Sequence, residues 1–233
     1  MRHSGTDRGA ALVAALIVMA IVSAMGLSLA LTTTLEPLAA ANYEANRSVR
    51  LAAEAGVAIA AHELAGMADW NLVLTGHAGT AALQLGSIVV DLPDGSLAGL
   101  EELTARATCG RPGACSDMER NAFTSGRPWG PNNPRWRIFG HGRLDLLVPD
   151  GAGLPPIVVV VWVGDDPAEV DGDPLADSGV GPGGEWRPGG CVLAVRAEAF
   201  GPRFAHRTVV ATVARPAPGC GLGAKLVSLR DLS

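Results

Sequence analysis

Lysine is nearly missing from this chain: Lys225 is the single example among 233 residues. Acidic residues outnumber Lys and Arg by 23 to 18, giving a net charge of −5, and no basic stripe forms along the sequence. A nucleic-acid partner therefore has no electrostatic footprint here. Catalytic and cofactor signatures are lacking as well. There is no G-x-S-x-G elbow and no Walker A loop, so a membrane-tethered periplasmic enzyme has no constellation to stand on. His3, His62, His77, His141 and His206 are scattered without metal-ligand spacing. A G-x-G-x-x-G string at Gly179, Gly181 and Gly184 follows no strand and opens no helix, which makes it a loop rather than a nucleotide fingerprint. The four cysteines contain no C-x-x-C pair, which excludes the common zinc modules.

What the chain does have is a long uncharged run. Ala10 to Leu31 spans 22 residues, AALVAALIVMAIVSAMGLSLAL, with Ser23, Gly26 and Ser28 as its interruptions. At helical rise this covers roughly 33 Å, enough for the hydrocarbon core of a bilayer. Arg2 and Arg8 precede the run and the first charge after it is Glu36. That asymmetry predicts a cytoplasmic N-terminus and an exported remainder. A cleaved secretory signal is the competing reading. Against it, the run exceeds the usual 7–15 residues and no small-x-small exit follows.

Helix-forming sequence continues past the membrane run. LEPLAAANYEANRSVRLAAEAGVAIAAHELAG is rich in Ala, Leu and Glu, and Leu38, Ala41, Ala45, Val49, Ala52, Gly56 and Ala60 recur at three- and four-residue spacing. This narrow stripe of small residues is expected to let another helix approach closely. Arg50 and Glu54 are placed to pair at i, i+4. Pro37 should kink or break the rod, and Gly66 should stop it. A continuous helix from residue 10 to 66 is too long for a compact domain to bury, so half of it is expected to project into membrane or partner subunits.

Beyond Trp70 the pattern turns to short strands. Ser87–Leu92, Leu103–Cys109 and Trp136–Val148 read as strands, the last broken or bulged at Gly140 and Gly142. Ile157–Val163 reads as a buried central strand. Val192–Phe200 and Arg207–Arg215 read as a hairpin about Gly201-Pro202, and Leu222–Ser233 as a terminal strand or tail. The resulting fold class is α+β: a long N-terminal helix followed by a mainly antiparallel β head. Trp70, Trp129, Trp136, Trp162 and Trp186 are core anchors or a sugar- or partner-binding face, a choice the sequence leaves open.

Export would make an even number of cysteines suit two disulfides. Cys109 and Cys115 bracket the tight GRPGA sequence, which leaves Cys191 with Cys220; four cysteines permit three pairings, and four buried free thiols are the alternative. The loop Asp166–Gly190 is rich in Gly, Pro and Asp. Asp165, Asp166, Glu169, Asp171, Asp173 and Asp177 fall within 13 positions, and Asp171, Asp173 and Asp177 are the candidate Ca2+ ligands. No other cofactor is expected. The spacing is not that of an EF-hand, since Pro174 follows Asp173 and no glutamate closes the loop.

The string RGAALVAALIVMAIVSAMGLSLALTTTLEPLAAANYEANRSVRLAAEAGVA resembles the N-terminal region of PilX-like minor pilins of the type IV pilin superfamily. The likeness rests on Arg-Gly before the apolar helix, a Thr-rich patch with Leu-Glu, and a later Ala-Ala-Glu-Ala, and covers roughly residues 8–66. It implies a division into a cytoplasmic leader (1–9), a transmembrane half-helix (10–31), an amphipathic half-helix (32–66) and a β-rich head (67–233). It further implies that a prepilin peptidase cuts after Gly9, leaving Ala10 as a methylated mature N-terminus. The subunit would then sit in the inner membrane with a periplasmic head, or pass into a pilus filament among major and minor pilins, with adhesion a pilus role. One position departs from the major pilins: their glutamate at the fifth mature position is Ala14 here. That departure fits a tip or initiation subunit, and it is shared with the K-type minor pseudopilins of type II secretion. A signal-anchored periplasmic binding module is the reading from a different class.

Overall fold

A computed structural model describes residues 6–80, 83, 89–122, 134–147, 153–177, 189–216 and 221–232. The chain divides into two compact units, Met1–Glu44 and Ala45–Ser233. Helix α1, Thr6–Gly66, belongs to both and runs through Pro37 without a break in its assignment; it ends at the predicted glycine.

In the first unit α1 is a lone helix. Leu12, Leu16, Met19, Met25 and Leu29 are each more than half exposed, as are the intervening Val13, Ile17 and Val18. The helix has no apolar stripe because it has no polar face to contrast with it. Thr33 returns its hydroxyl to the Ala30 carbonyl at 3.0 Å, so this side chain is satisfied inside the helix rather than by a partner.

The second unit is built on a five-stranded antiparallel sheet of order β3-β4-β5-β6-β7. Its strands are β3 (Arg137–Arg143), β4 (Val158–Asp165), β5 (Val192–Phe200), β6 (His206–Ala214) and β7 (Lys225–Asp231). β4 is buried along its full length, as a solid branched run demands. β5 and β6 form the expected hairpin, with Phe200 opposite His206. The turn between them places Arg203 and Phe204 at positive φ, near +59° each. β3 carries a bulge between Ile138 and Gly140. A Cβ on Gly140 would come within 2.6 Å of Thr80 Cγ2 and Leu83 Cβ, so glycine is what lets that segment close over the strand.

Two layers cover this sheet. On one face lies the C-terminal part of α1, through Val49, Ala52, Ala53, Val57, Ala60 and Leu64, against Val159, Val161, Leu193, Val195, Ala197 and Val209. On the other, Val158, Val160 and Trp162 meet Val90, Leu100 and Leu103. These last come from the hairpin β1 (Val89–Asp91) and β2 (Leu97–Gly99) and from α3 (Leu100–Cys109). Short helices α2 (Asn71–Leu74), α4 (Asp117–Asn121) and α5 (Leu144–Leu147) fill the connections.

Three expectations are corrected here. Leu103–Cys109 is helix, not strand. LEELTARATC starts with Glu101 and Glu102 in its first turn and ends on Gly110 at φ 73°, a charge and capping pattern that favours a helix over period-two alternation. The second correction concerns the small-residue stripe. Val49, Ala52, Gly56 and Ala60 lie against the chain's own sheet, not against another helix. At Gly56 the fit is tight: an added Cβ would lie 2.7 Å from Val159 Cγ1 and 3.1 Å from Val161 Cγ2. Of the same stripe, Leu38 is 57% exposed. The strand expected over Trp136–Val148 ends at Arg143 and continues as α5, while Val148 and the Ser87 end of the first strand lie outside the described residues.

The C-terminus of α1 shows how the head fixes its helix. The last carbonyls of a helix have no partners within it. Here Trp70 Nε1 donates to Leu64 O at 2.9 Å, and the Gly223 amide donates to Ala65 O at 2.9 Å. Arg215, just beyond β6, donates to Met67 O at 2.6 Å and Ala68 O at 3.1 Å. Its guanidinium also lies 4.2 Å from the Trp70 ring centroid. Four carbonyls around the helix end are thereby satisfied, three of them by Arg215 and Gly223, far along the sequence.

Candidate functional site

The first candidate is α1 itself. Among the described residues it is the one helix long and apolar enough to cross a membrane. Gly9 and Ala10, where the leader would be cut, both lie within α1 and both are exposed. Ala14 is exposed in the same stretch and presents a methyl group where a docking carboxylate would stand. The surface from Gly9 to Ala30 offers shape and apolar area, with no charged residue and with Ser23 and Ser28 as its hydroxyl groups. Such a surface can pack against an apolar neighbour.

The Arg50–Glu54 pair forms as the spacing predicts, with Nε 3.0 Å from Oε1, and Asp231 of β7 stands 3.8 Å from the same Nε. Both contacts are on the exposed side and contribute little to stability. The second contact brings Asp231 at the end of β7 beside α1.

The acidic loop is arranged differently from its sequence reading. Asp171 comes together with Asp165 and Glu169, each offering one carboxylate oxygen within 4.8 Å of the others. Asp165 and Glu169 are fully buried. Neither Asp173 nor Asp177 belongs to that group. Asp173 Oδ1 accepts the Leu175 amide at 3.1 Å, and Asp171 Oδ1 accepts the Asp173 amide at 2.8 Å, so both serve turns in the backbone. Asp177 Oδ1 accepts the Cys191 amide at 2.5 Å, while its own amide donates to Asn71 Oδ1 at 2.6 Å. Burial pushes the Asp177 carboxyl up to about 6, against the lowering effects of the Cys191 amide and of Arg215. Asp177 thus ties the loop to the end of β5 and to α2. Asp165 was legible as an acid but not as a buried one, because its burial comes from the full coverage of β4.

Cys109 and Cys115 form the expected disulfide, with Cα atoms 6.1 Å apart. No described cysteine is free. Cys191 is disulfide-bonded; Cys220 lies outside the described residues, as do Gly179, Gly181, Gly184, Trp129 and Trp186. The disulfide closes α3 onto α4. Ser116 caps α4 in a reciprocal box with Glu119. Arg111 grips the Glu119 carboxylate at 2.7 and 2.8 Å, and that hydrogen bond, with those from Ser116, holds the carboxyl down to about 2.

On the outer face of β5 and β6, Arg196 Nη2 meets Glu198 Oε1 at 2.5 Å and His206 Nε2 stands 3.3 Å from Glu198 Oε2. His206 also stacks on Phe200, with ring centroids 4.7 Å apart. Trp162, one of the five tryptophans, is a core residue whose indole donates to Thr104 Oγ1 at 2.9 Å; Trp70 is buried too. None of these groupings joins a nucleophile to a base.

Residues 8–58 match the family model described as PilX N-terminal. That span takes in the apolar run and the first half of the stripe packed on the sheet, and leaves the β head outside it. No curated protein and no solved structure matches the chain.

Proposed function

We propose that this chain, a PilX-like member of the type IV pilin family, is a minor pilin acting in pilus assembly or at a filament tip. The observation that carries this reading is the pairing of a family match over residues 8–58 with an apolar helix whose Leu12, Leu16, Met19, Met25 and Leu29 are each more than half exposed. Exposed apolar area on that scale needs a host. Lipid serves before assembly, and the helices of major and minor pilins serve afterwards. In this reading a prepilin peptidase removes residues 1–9 on the cytoplasmic face, and Ala10 becomes the methylated end of a helix that stays attached to its head.

The head then determines which neighbours fit, and the protein works without a chemical step, as befits a structural family. Intact-mass measurement from cells with and without prepilin peptidase tests the processing step. A mass reduced by residues 1–9 in peptidase-positive cells alone is the expected result; an uncut Gly9–Ala10 bond in both removes this reading. Deletion of the gene should then abolish or thin the surface filaments.

Ala14 favours a second reading. A subunit lacking the fifth-position carboxylate also suits a minor pseudopilin of type II secretion. Loss of protein secretion with intact filaments would select that role.

A further inference from the structure

The turn that joins β5 to β6 is built against the local rules. The Ala205 amide donates to Pro202 O at 3.2 Å and the Gly201 amide to Ala205 O at 2.8 Å, which closes the hairpin on Arg203 and Phe204. Both of these central residues stand at φ 59°. Asn-Gly is what such a primed turn ordinarily takes, and a bulky aromatic in the left-handed region is a strained choice. Packing within the chain does not offset that strain, since Arg203 is exposed and Phe204 is 83% exposed. Strain held at an exposed tip is where a side chain presented to a partner is to be sought.

A matching surface lies on α1. Leu35, Leu38, Asn42, Ala45 and Val49 follow one another at three- and four-residue steps and so share one helix face. Val49 is buried in the core against the sheet, and Ala45 packs on the same core from its margin. Gly201, at the base of the turn, abuts α1 here, because a Cβ on it would collide with Val49 Cγ1. Further along the same face, Leu35 and Leu38 are 60% and 57% exposed. Glu36 and Glu44 accompany them, and residues 35–44 hold these two acids and no base.

The two surfaces complement each other. One offers a protruding aromatic ring beside a cation, the other an apolar helix face beside a carboxylate, and that face continues the one already seated on a sheet. We propose that Phe204 of one copy seats on Leu35 and Leu38 of a second copy's α1, with Arg203 facing Glu36 of that helix. Every copy carries both surfaces. A contact between unlike surfaces leaves one of each open, so it repeats from copy to copy without closing. The inference deepens the assembly reading and rests on it, but the contact is measured on the uncut chain and so is separable from cleavage at Gly9–Ala10.

The test uses the detergent-solubilised full chain carrying a benzophenone analogue of phenylalanine at position 204. Irradiation should give a cross-linked dimer whose linkage maps, by mass spectrometry, to residues 35–38 of the second copy. Arg203→Glu should lower the dimer yield by about fivefold or more. Glu36→Arg should do the same, and the chain carrying both reversals should recover the yield. Arg203→Asn combined with Phe204→Gly separates association from folding. Its thermal midpoint should rise by about 2–6 °C as the strain is relieved, while self-association in sedimentation is lost. A link within one chain, a link to detergent alone, a yield unmoved by either charge reversal, or no recovery in the doubly reversed chain would each overturn the proposal. So would an Asn-Gly turn that still associates or that melts earlier.

Discussion

Replacing Gly56 by alanine sets two known effects against each other. In an exposed helix the change stabilises by about 0.8–1 kcal/mol, through propensity alone. At this position the new methyl would sit 2.7 Å from Val159 Cγ1, 3.1 Å from Val161 Cγ2 and 3.4 Å from Ala197 Cβ. Val159 and Val161 belong to the fully buried β4, and a β-branched side chain has one strongly preferred rotamer to retreat from. The helix must therefore lift or the strand must shift, and overpacking of this kind costs about 1–3 kcal/mol. The net change is a loss of up to about 2 kcal/mol for Ala, by difference of those two ranges, and more for Val or Leu. Gly66 supplies the control, since a Cβ there meets nothing within 4 Å. Thermal unfolding of the solubilised full chain, followed by near-UV circular dichroism, should show Gly56→Ala lowered by about 2–6 °C and Gly66→Ala unchanged or raised. If Gly56→Ala gains stability as the control does, α1 is not seated on the sheet at this distance and the close-approach argument fails.

Other positions lend themselves to the same kind of measurement. Arg215→Met keeps much of the packing on Trp70 but loses the hydrogen bonds to Met67 O and Ala68 O, and should cost about 2–4 kcal/mol in denaturant unfolding; a loss below about 0.5 kcal/mol would show those carbonyls to be solvated instead. Replacing Cys109 and Cys115 together by Ser opens a loop of sequence separation 6 and should cost about 2 kcal/mol on chain entropy, detectable as a lower midpoint in unchanged oxidising buffer. His141 is 4% exposed with an unpartnered Nε2, and burial holds its pKa below the ordinary 6.5. The unfolded chain therefore takes up a proton first, so this group's contribution to stability is intact above pH 6.5 and is lost as pH falls below it. His141→Leu should flatten that acid limb, and an unchanged slope between pH 7 and pH 5 would refute the assignment.

What the sequence revealed and what it hid divide along physical lines. Ala10–Leu31 was legible as helix because a long run of Ala, Leu and Met without Pro favours one, and α1 covers it from end to end. IVVVVWV and VLAVRAEAF were legible because branching and period-two alternation are local signals. α3 was missed for a local reason: Glu101, Glu102, Arg106 and Gly110 carry its helical charge and stop pattern, and the apolar Leu103 and Ala105 imitate an alternating strand. The stripe Val49–Ala60 was seen, but its partner was not. Small residues declare that something comes close and do not name what does, so the fit of Gly56 against Val159 and Val161 needed coordinates. The grouping of carboxylates in the acidic loop was hidden for a related reason. Sequence gives the spacing of Asp171, Asp173 and Asp177 but not which carboxylates the backbone consumes. All three accept backbone amides, those of Asp173, Leu175 and Cys191, and Asp165 joins Asp171 from the end of a strand.

The two parts of α1 answer one physical problem in different ways. From Val49 to Leu64 the apolar face is covered by the chain's own sheet, so that stretch is settled within one molecule. From Leu12 to Leu29 the large side chains are exposed on every side, and at about 1.5–3 kcal/mol each for full burial their hydration would cost more than a domain's entire stability. Water is therefore excluded as the resting solvent of this segment. Lipid chains and neighbouring helices are both apolar, so passing from one to the other gains almost nothing from the hydrophobic effect. On the proposed reading, assembly would then be decided by packing shape and by the few polar groups at hand. With Ala14 contributing a methyl group instead of a carboxylate, this stretch brings shape alone. On the proposed reading, discrimination between partners would fall to the head, whose exposed edge strand β7 carries Asp231 beside Arg50 of α1.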